Sequence, residues 1–219
     1  METSVMKAVA TMCAGLALAL PAGAQSDPNL SVNAQLLAAA RQNDMVQVER
    51  TLTQGAAPNS RNRLGKTPLL LSAEKGNLAL AERLLQAGAD VNLASLEGVT
   101  ALMAASYAGN AEFVQRLLAA GARTDPLDRM KRPVMVYAAG QGHAAVIAAL
   151  LAGGIDVNAA YEHGLTALMW AAGQGHADAV KLLLERGART DAKDDRGLAA
   201  LDIARQGGHL AAAAVLQAR

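Results

Sequence analysis

Three histidines fall at one interval: His143, His176 and His209 are spaced 33 residues apart. Imidazole is a common metal ligand, and a shared zinc needs both ring nitrogens about 2 Å from the ion. If the interval marks stacked helical units, equivalent positions lie about 8–10 Å apart, too far for such sharing. The one cysteine, Cys13, lies in the leader described below. A mature chain without thiols has no cysteine-ligated zinc, no thiol nucleophile and no disulfide. The chain has no Gly-x-x-x-x-Gly-Lys loop, no His-Glu-x-x-His and no serine-hydrolase elbow. Gly140-x-Gly142 and Gly173-x-Gly175 lack the preceding strand and the third glycine of a dinucleotide fingerprint. No catalytic residue, metal or other cofactor is therefore assigned, and the protein is expected not to be an enzyme.

The interval extends far beyond the histidines. Gly76, Gly109, Gly142, Gly175 and Gly208 keep the 33-residue step, as do Gly55, Gly88, Gly121, Gly154 and Gly187. Leu36, Leu69, Leu102, Met135, Leu168 and Leu201 form a third column. Such regularity is the signature of a repeat architecture. In the second unit Gly65 suits a tight turn, Thr67 a helix cap and Pro68 the first helical position. Gly76 suits a left-handed C-cap, and Leu80, Leu84 and Leu85 line one face of a second helix. Neither helix buries its apolar face alone, so units must stack. Apolar residues make up 52% of the chain and aromatics 2%, so alanine, leucine and valine must fill the core. With 20 basic and 19 acidic residues the net charge is +1, which gives nucleic acid no electrostatic footing.

Gly65-x-Thr67-Pro68-Leu69, then Ala73-x-x-Gly76-Asn77, then Leu84-Leu85-x-x-Gly88-Ala89-Asp90-Val91-Asn92 resembles the ankyrin repeat. The segment from Gly164 to Ala188 matches the same pattern. The resemblance covers residues 31–219 and implies an all-α solenoid of six helix-turn-helix units with short β-turn fingers. The expected units are 31–61, 62–94, 95–127, 128–160, 161–193 and 194–219. It further implies that His143, His176 and His209 brace loops. Gln47 and Thr51 in the first unit, and Ala212, Ala213 and Gln217 in the last, read as caps facing solvent. Tyr137 and Trp170 share a column with Leu71, Ala104 and Ile203 and read as core.

The resemblance also implies a concave face of finger tips and first helices that binds a protein partner. In unit two that face offers Arg63, Leu64 and Lys66. Unit three adds Leu96, Glu97, Val99 and Tyr107, and unit four adds Arg129, Met130, Arg132 and Gln141. Unit five adds Glu162, His163, Leu165 and Gln174. Apolar tips beside charges suit a protein-binding surface. In finger four Lys131 replaces the turn glycine; a positive φ there costs about 1–2 kcal/mol, so that turn is expected to change shape. A competing expectation is a small-molecule or cofactor carrier using a hollow near Tyr107, Gly140 and Gly173. A pure spacer, with no preferred binding face, is a third.

The start of the chain reads as a signal peptide over residues 1–24. Lys7 precedes the small-and-apolar run Ala8 to Leu20, 13 residues long, and Ala22-Gly23-Ala24 fits cleavage before Gln25. The run is shorter than the roughly 20 residues a membrane span needs. Glu2 ahead of Lys7 leaves Met6 as an alternative start. Residues 25–30 read as a flexible leader. The expectation is a periplasmic monomer (secreted as the alternative) that meets a partner protein and neither nucleic acid nor membrane.

Overall fold

The computed structural model describes residues 28–218. Among them six pairs of short antiparallel helices follow one another: α1 (Pro28–Gln42) with α2 (Met45–Thr53), α3 (Pro68–Lys75) with α4 (Leu78–Gln86), and α5 (Ala101–Tyr107) with α6 (Ala111–Ala119). They continue as α7 (Val134–Gln141) with α8 (Ala144–Ala152), α9 (Ala167–Gly173) with α10 (Ala177–Glu185), and α11 (Ala200–Gln206) with α12 (Leu210–Gln217). All but α1 have only 7 to 9 residues, too few to persist alone in water. Their stability comes from stacking: α3 packs on α1 and α5, and the first helices run α5, α7, α9, α11 in file. No described helix is long and apolar enough to cross a membrane.

Local chemistry sets each helix start. Thr67, Thr100 and Thr166 accept hydrogen bonds from the amides of Leu70, Met103 and Met169 at 3.2, 3.2 and 3.3 Å. Asp44, Asn77 and Asn110 do the same for α2, α4 and α6. In the second helices from α8 onward histidine takes that position and reaches backwards instead. Nε2 of His143, His176 and His209 meets the carbonyls of Tyr107, Gly140 and Gly173 at 3.0, 3.0 and 2.9 Å. A Cβ on Gly109, Gly142 or Gly175 would strike the next unit's histidine ring. Those glycines therefore serve both a left-handed backbone and the seat of the brace. Asn92 and Asn158 add a second clasp, each donating to one glycine carbonyl and accepting one amide of the following unit.

The core is aliphatic and continuous from Leu36 to Leu216, with Phe113 its one aromatic. The expected caps need correction. Thr51 is fully buried, because its hydroxyl donates to the carbonyls of Gln47 and Val48 and leaves its methyl in the leucine column. Ala212 and Ala213 are buried too, being small enough to tuck beneath the last helix pair; Gln217 is exposed and Gln47 half-buried. The expected leader is helical from Pro28 onward. Proline suits a first helical turn, where its missing N–H has no intrahelical acceptor to lose. The signal segment and residues 25–27 lie outside the described residues.

Candidate partner-binding face

The fingers that precede helices α3, α5, α7, α9 and α11 share one hydrogen-bonded turn. Its key is a short acceptor side chain. Asn62, Asp128 and Asp194 each accept two backbone amides with Oδ1, two and four residues on. Ser95 accepts the Val99 amide. Such turns are a common use of these residue types. The turn closes in a left-handed residue, glycine in fingers two, three and six.

Finger four keeps this shape, contrary to expectation. Lys131 adopts φ 56° and its amide still donates to the Asp128 carbonyl at 2.8 Å. The reason is the strength of the Asp128 anchor. That buried carboxylate takes the Met130 and Arg132 amides, the Arg132 Nε–H at 2.8 Å and the Tyr137 hydroxyl at 2.6 Å. Burial pushes the Asp128 carboxyl up, but the bonds from Tyr137 and Arg132 outweigh it and hold the group below the usual aspartate range. Burial, and then the same carboxylate, push Tyr137 up to about 12. The Arg132 guanidinium also lies over the Tyr137 ring, 5.1 Å from its centroid.

The irregular finger is the fifth. Tyr161 occupies the acceptor column and has no side-chain acceptor within reach of the turn amides. The Leu165 amide turns to the Glu162 carbonyl at 3.4 Å instead, residues 162–164 close a single 3₁₀ turn, and His163 and Gly164 are both left-handed. Tyr161 packs against the core, and burial pushes its hydroxyl up to about 12.

Three of the four pairs of neighbouring fingers are tied by a backbone rung. The Leu64 carbonyl accepts the Leu96 amide at 3.0 Å, Glu97 accepts Arg129 at 2.8 Å, and His163 accepts Asp195 at 3.0 Å. Exposed charges pair at the tips, Glu97 with Arg129 at 3.2 Å and Lys131 with Glu162 at 3.4 Å, and the His163 ring lies 3.6 Å from the Asp195 carboxylate. Lys66 pairs with Glu74 at 2.5 Å. The expected specificity charges Arg129, Glu97 and Glu162 are thus already paired within the fold, and Arg132 belongs to the Asp128 anchor.

The apolar tips divide. Leu64, Leu96 and Met130 are 60, 70 and 65% exposed, whereas Val99 and Leu165 are half-buried against the core. Arg63 is exposed beside Leu64.

Three adjoining hollows run along the first helices and the finger bases of units three to five. Glu74, Val99, Ala104, Tyr107, Ala108 and Tyr137 line the first. The second, of ≈ 280 Å³, brings together Tyr107, Arg132, Val136, Tyr137, Gly140, Gln141, Trp170 and Gln174. The third, of ≈ 250 Å³, lies between fingers four and five and gathers Met130, Lys131, Pro133, Tyr161, Glu162, His163 and Leu165, again with Arg132, Val136 and Trp170. Arg63, Leu64, Lys66, Leu96 and Glu97 lie outside all three, along the tips of units two and three.

Tyr137 and Trp170 are therefore only partly core: half-buried, they pack against it on one side and wall this surface on the other. The column they share is buried at Leu71 and Ala104 and half-covered at Tyr137, Trp170 and Ile203, where bulk is accommodated by the loss of side chains nearby. The Trp170 ring edge lies 4.0 Å from where a Gly140 Cβ would be, and Ile203 sits 3.0 Å from that point on Gly173. Gly173 is thus filled by Ile203 and does not open the expected hollow, while Gly140 does line it. Tyr107, 56% exposed, meets Tyr137 edge-on with centroids 6.3 Å apart.

Between Lys75 of α3 and Asp202 of α11, the first helices α5, α7 and α9 carry no charged residue. All three tyrosines and the only tryptophan of the chain line these hollows. Sequence reasoning missed Tyr137, Trp170, Tyr161 and Asp128. The available signal was bulk at 137 and 170 set against glycine at 140 and 173.

A family model described as ankyrin repeats (three copies) matches residues 36–128 and again 134–218. The chain belongs to the ankyrin-repeat family. The two matches leave out 129–133, the tip of finger four. Ankyrin repeats mark the chain as a protein–protein interaction module. Comparison with curated proteins gives no match.

Proposed function

We propose that this protein is a non-catalytic scaffold that holds a partner protein against the finger and first-helix face of units three to five. One observation carries the reading. A chain with 2% aromatic residues places every tyrosine and its tryptophan on that face, beside a stripe of first helices without charge. Tyrosine, tryptophan and arginine dominate binding energy at interfaces, and depletion of charge marks their centres. Asp128, Arg132 and Tyr137 are the titratable cluster nearest the hollows. Each is pushed further into its ordinary state at neutral pH, the carboxyl down and the phenol and guanidinium up. A general acid or base needs the reverse, a pKa drawn towards the working pH. The cluster serves the finger.

The leader's charge, apolar run and small-residue cleavage pattern support a periplasmic location, where the scaffold would hold its partner, an enzyme or a toxin. Amino-terminal sequencing of the protein from its source cells tests this; the expected first residue is Gln25.

Affinity capture from periplasmic extract tests the binding face. Wild type is compared with a Tyr107→Ala/Gln141→Arg double variant, which plants charge in the uncharged stripe at exposed positions. The variant is expected to lose a protein the wild type retains. Equal recovery by both would remove this face from consideration. A second reading, a small-molecule carrier, rests on the hollow beside Tyr107 and Gly140, and requires saturable binding of a ligand that quenches Trp170.

A further inference from the structure

The ladder of rungs between fingers has one gap. By register the Met130 carbonyl and the Glu162 amide should bond as Leu64–Leu96, Glu97–Arg129 and His163–Asp195 do. Among the described residues neither group has a hydrogen-bond partner. The gap falls at the hollow of ≈ 250 Å³ between fingers four and five. The hollow between fingers five and six, of ≈ 350 Å³, has its rung in place. The fingers also differ at Tyr161: without its neighbours' acceptor side chain, finger five twists through two left-handed residues directly after Glu162.

We propose that this seam takes one peptide unit of an extended, uncharged segment of the partner polypeptide. The inference rests on the protein-binding reading above and names the partner's chemistry. A trans peptide unit points its C=O and N–H in opposite directions. Laid in the seam, its carbonyl accepts the Glu162 N–H and its N–H donates to the Met130 carbonyl, so the missing rung is restored through the partner. This is strand addition reduced to a single rung. The adjacent side chain of the segment enters the hollow against Val136, Leu165 and Trp170.

Charge selects the same occupant. Lys131 is paired with Glu162, and Arg132 with Asp128. A charged side chain entering here would lose water and find no free counter-ion, whereas an aliphatic or aromatic one gains by burial. Trp170, which lines this hollow and its neighbour, also carries a buried indole N–H with no acceptor in the fold. Indole nitrogen only donates, so it too calls for a carbonyl and not for a cation.

The protein reports on its own seam, since Trp170 is its single tryptophan. Random peptides displayed on phage are selected against the purified full protein, and enriched sequences are synthesised with capped ends. Binding is followed by Trp170 emission. The expected peptides are uncharged around one apolar anchor and shift that emission. Glu162→Pro deletes the seam amide together with the exposed Lys131 ion pair, and Tyr161 before it is already extended at φ −104°, ψ −162°, as a residue preceding proline must be. This variant is expected to bind about tenfold more weakly, the worth of one hydrogen bond. Glu162→Ala keeps the amide, removes the exposed ion pair, and is expected to stay within about twofold. Methylating each peptide nitrogen in turn, against wild type, should find one position whose loss is equally large, whatever Glu162→Pro does to folding.

Wild-type affinity in Glu162→Pro together with a flat methylation scan would overturn the proposal. So would anchors that are charged, or enriched peptides that leave Trp170 emission unchanged, or no enrichment at all. If such peptides are still weakened by Tyr107→Ala/Gln141→Arg, the seam is wrong and the face stands. If that variant also binds them normally, both fail.

Discussion

Fingers four and five are neighbours on one face and depart from their repeat at different positions, with opposite outcomes. Finger four loses its turn glycine and keeps its turn; finger five keeps its glycine and the two backbone turn bonds but twists at His163, a second left-handed residue. A lysine in a left-handed backbone costs about 1–2 kcal/mol, a sum that several hydrogen bonds to one buried carboxylate readily exceed. A tyrosine in the acceptor column removes those bonds altogether. The side chain that satisfies the turn's amides therefore outranks the residue that bends its backbone.

Removing that side chain from finger four is the largest test. Asp128→Ala orphans two backbone amides, the Arg132 guanidinium and the Tyr137 hydroxyl together, and is expected to cost about 2–4 kcal/mol in chemical denaturation. A loss below about 1 kcal/mol would mean that the turn glycine matters more after all.

Acid should reach the same anchor more gently. Because the folded Asp128 carboxyl lies below its usual range, the unfolded chain takes up the proton first. The stabilisation is complete above the ordinary aspartate value of about 3.9 and fades as pH falls through the lower folded value. The Met130 and Arg132 amide resonances should titrate with a midpoint below about 3.9, while the Leu165 amide, whose acceptor is a backbone carbonyl, stays unmoved. A midpoint at or above the ordinary value would contradict the anchor.

Lys131→Gly relieves the left-handed lysine and should stabilise by about 1 kcal/mol, read as a higher denaturation midpoint at unchanged slope. The mildest change in energy is Tyr161→Asp. It supplies the missing acceptor but gives up a half-buried ring, so net stability should move by less than about 1 kcal/mol. Its structural effect is sharper: His163 should leave its φ of 61° and the Met130–Glu162 rung should form, visible as slowed exchange of the Glu162 amide. A finger five that stays twisted would show that Tyr161 is not the cause.

Nearly all of the fold could be read from the sequence. Glycine columns fixed the helix ends, and Thr67-Pro68 marked a start that the structure reproduces. The site was legible only in outline. Arg129, Glu97 and Glu162 looked available because a sequence shows charges without their partners, and those partners lie 32, 32 and 31 residues away in an adjoining finger. Tyr137 and Trp170 looked like core because their column begins with Leu71 and Ala104, which are buried. Whether a half-covered column wets depends on neighbours in other units, and periodicity within one unit carries nothing about that. Thr51 misled for a related reason, since a hydroxyl that bonds its own helix is as easily buried as a methyl.

The histidine braces give the array a direction. Each ring belongs to one unit and its carbonyl partner to the unit before, and they hold only the later junctions; Asn77 and Asn110 occupy the equivalent earlier positions. Detaching the last unit frees one carbonyl and leaves every other brace whole. Under tension from its carboxyl end the molecule should shed units one at a time, as discrete steps, a shorter one for the last unit and then equal ones for the inner units.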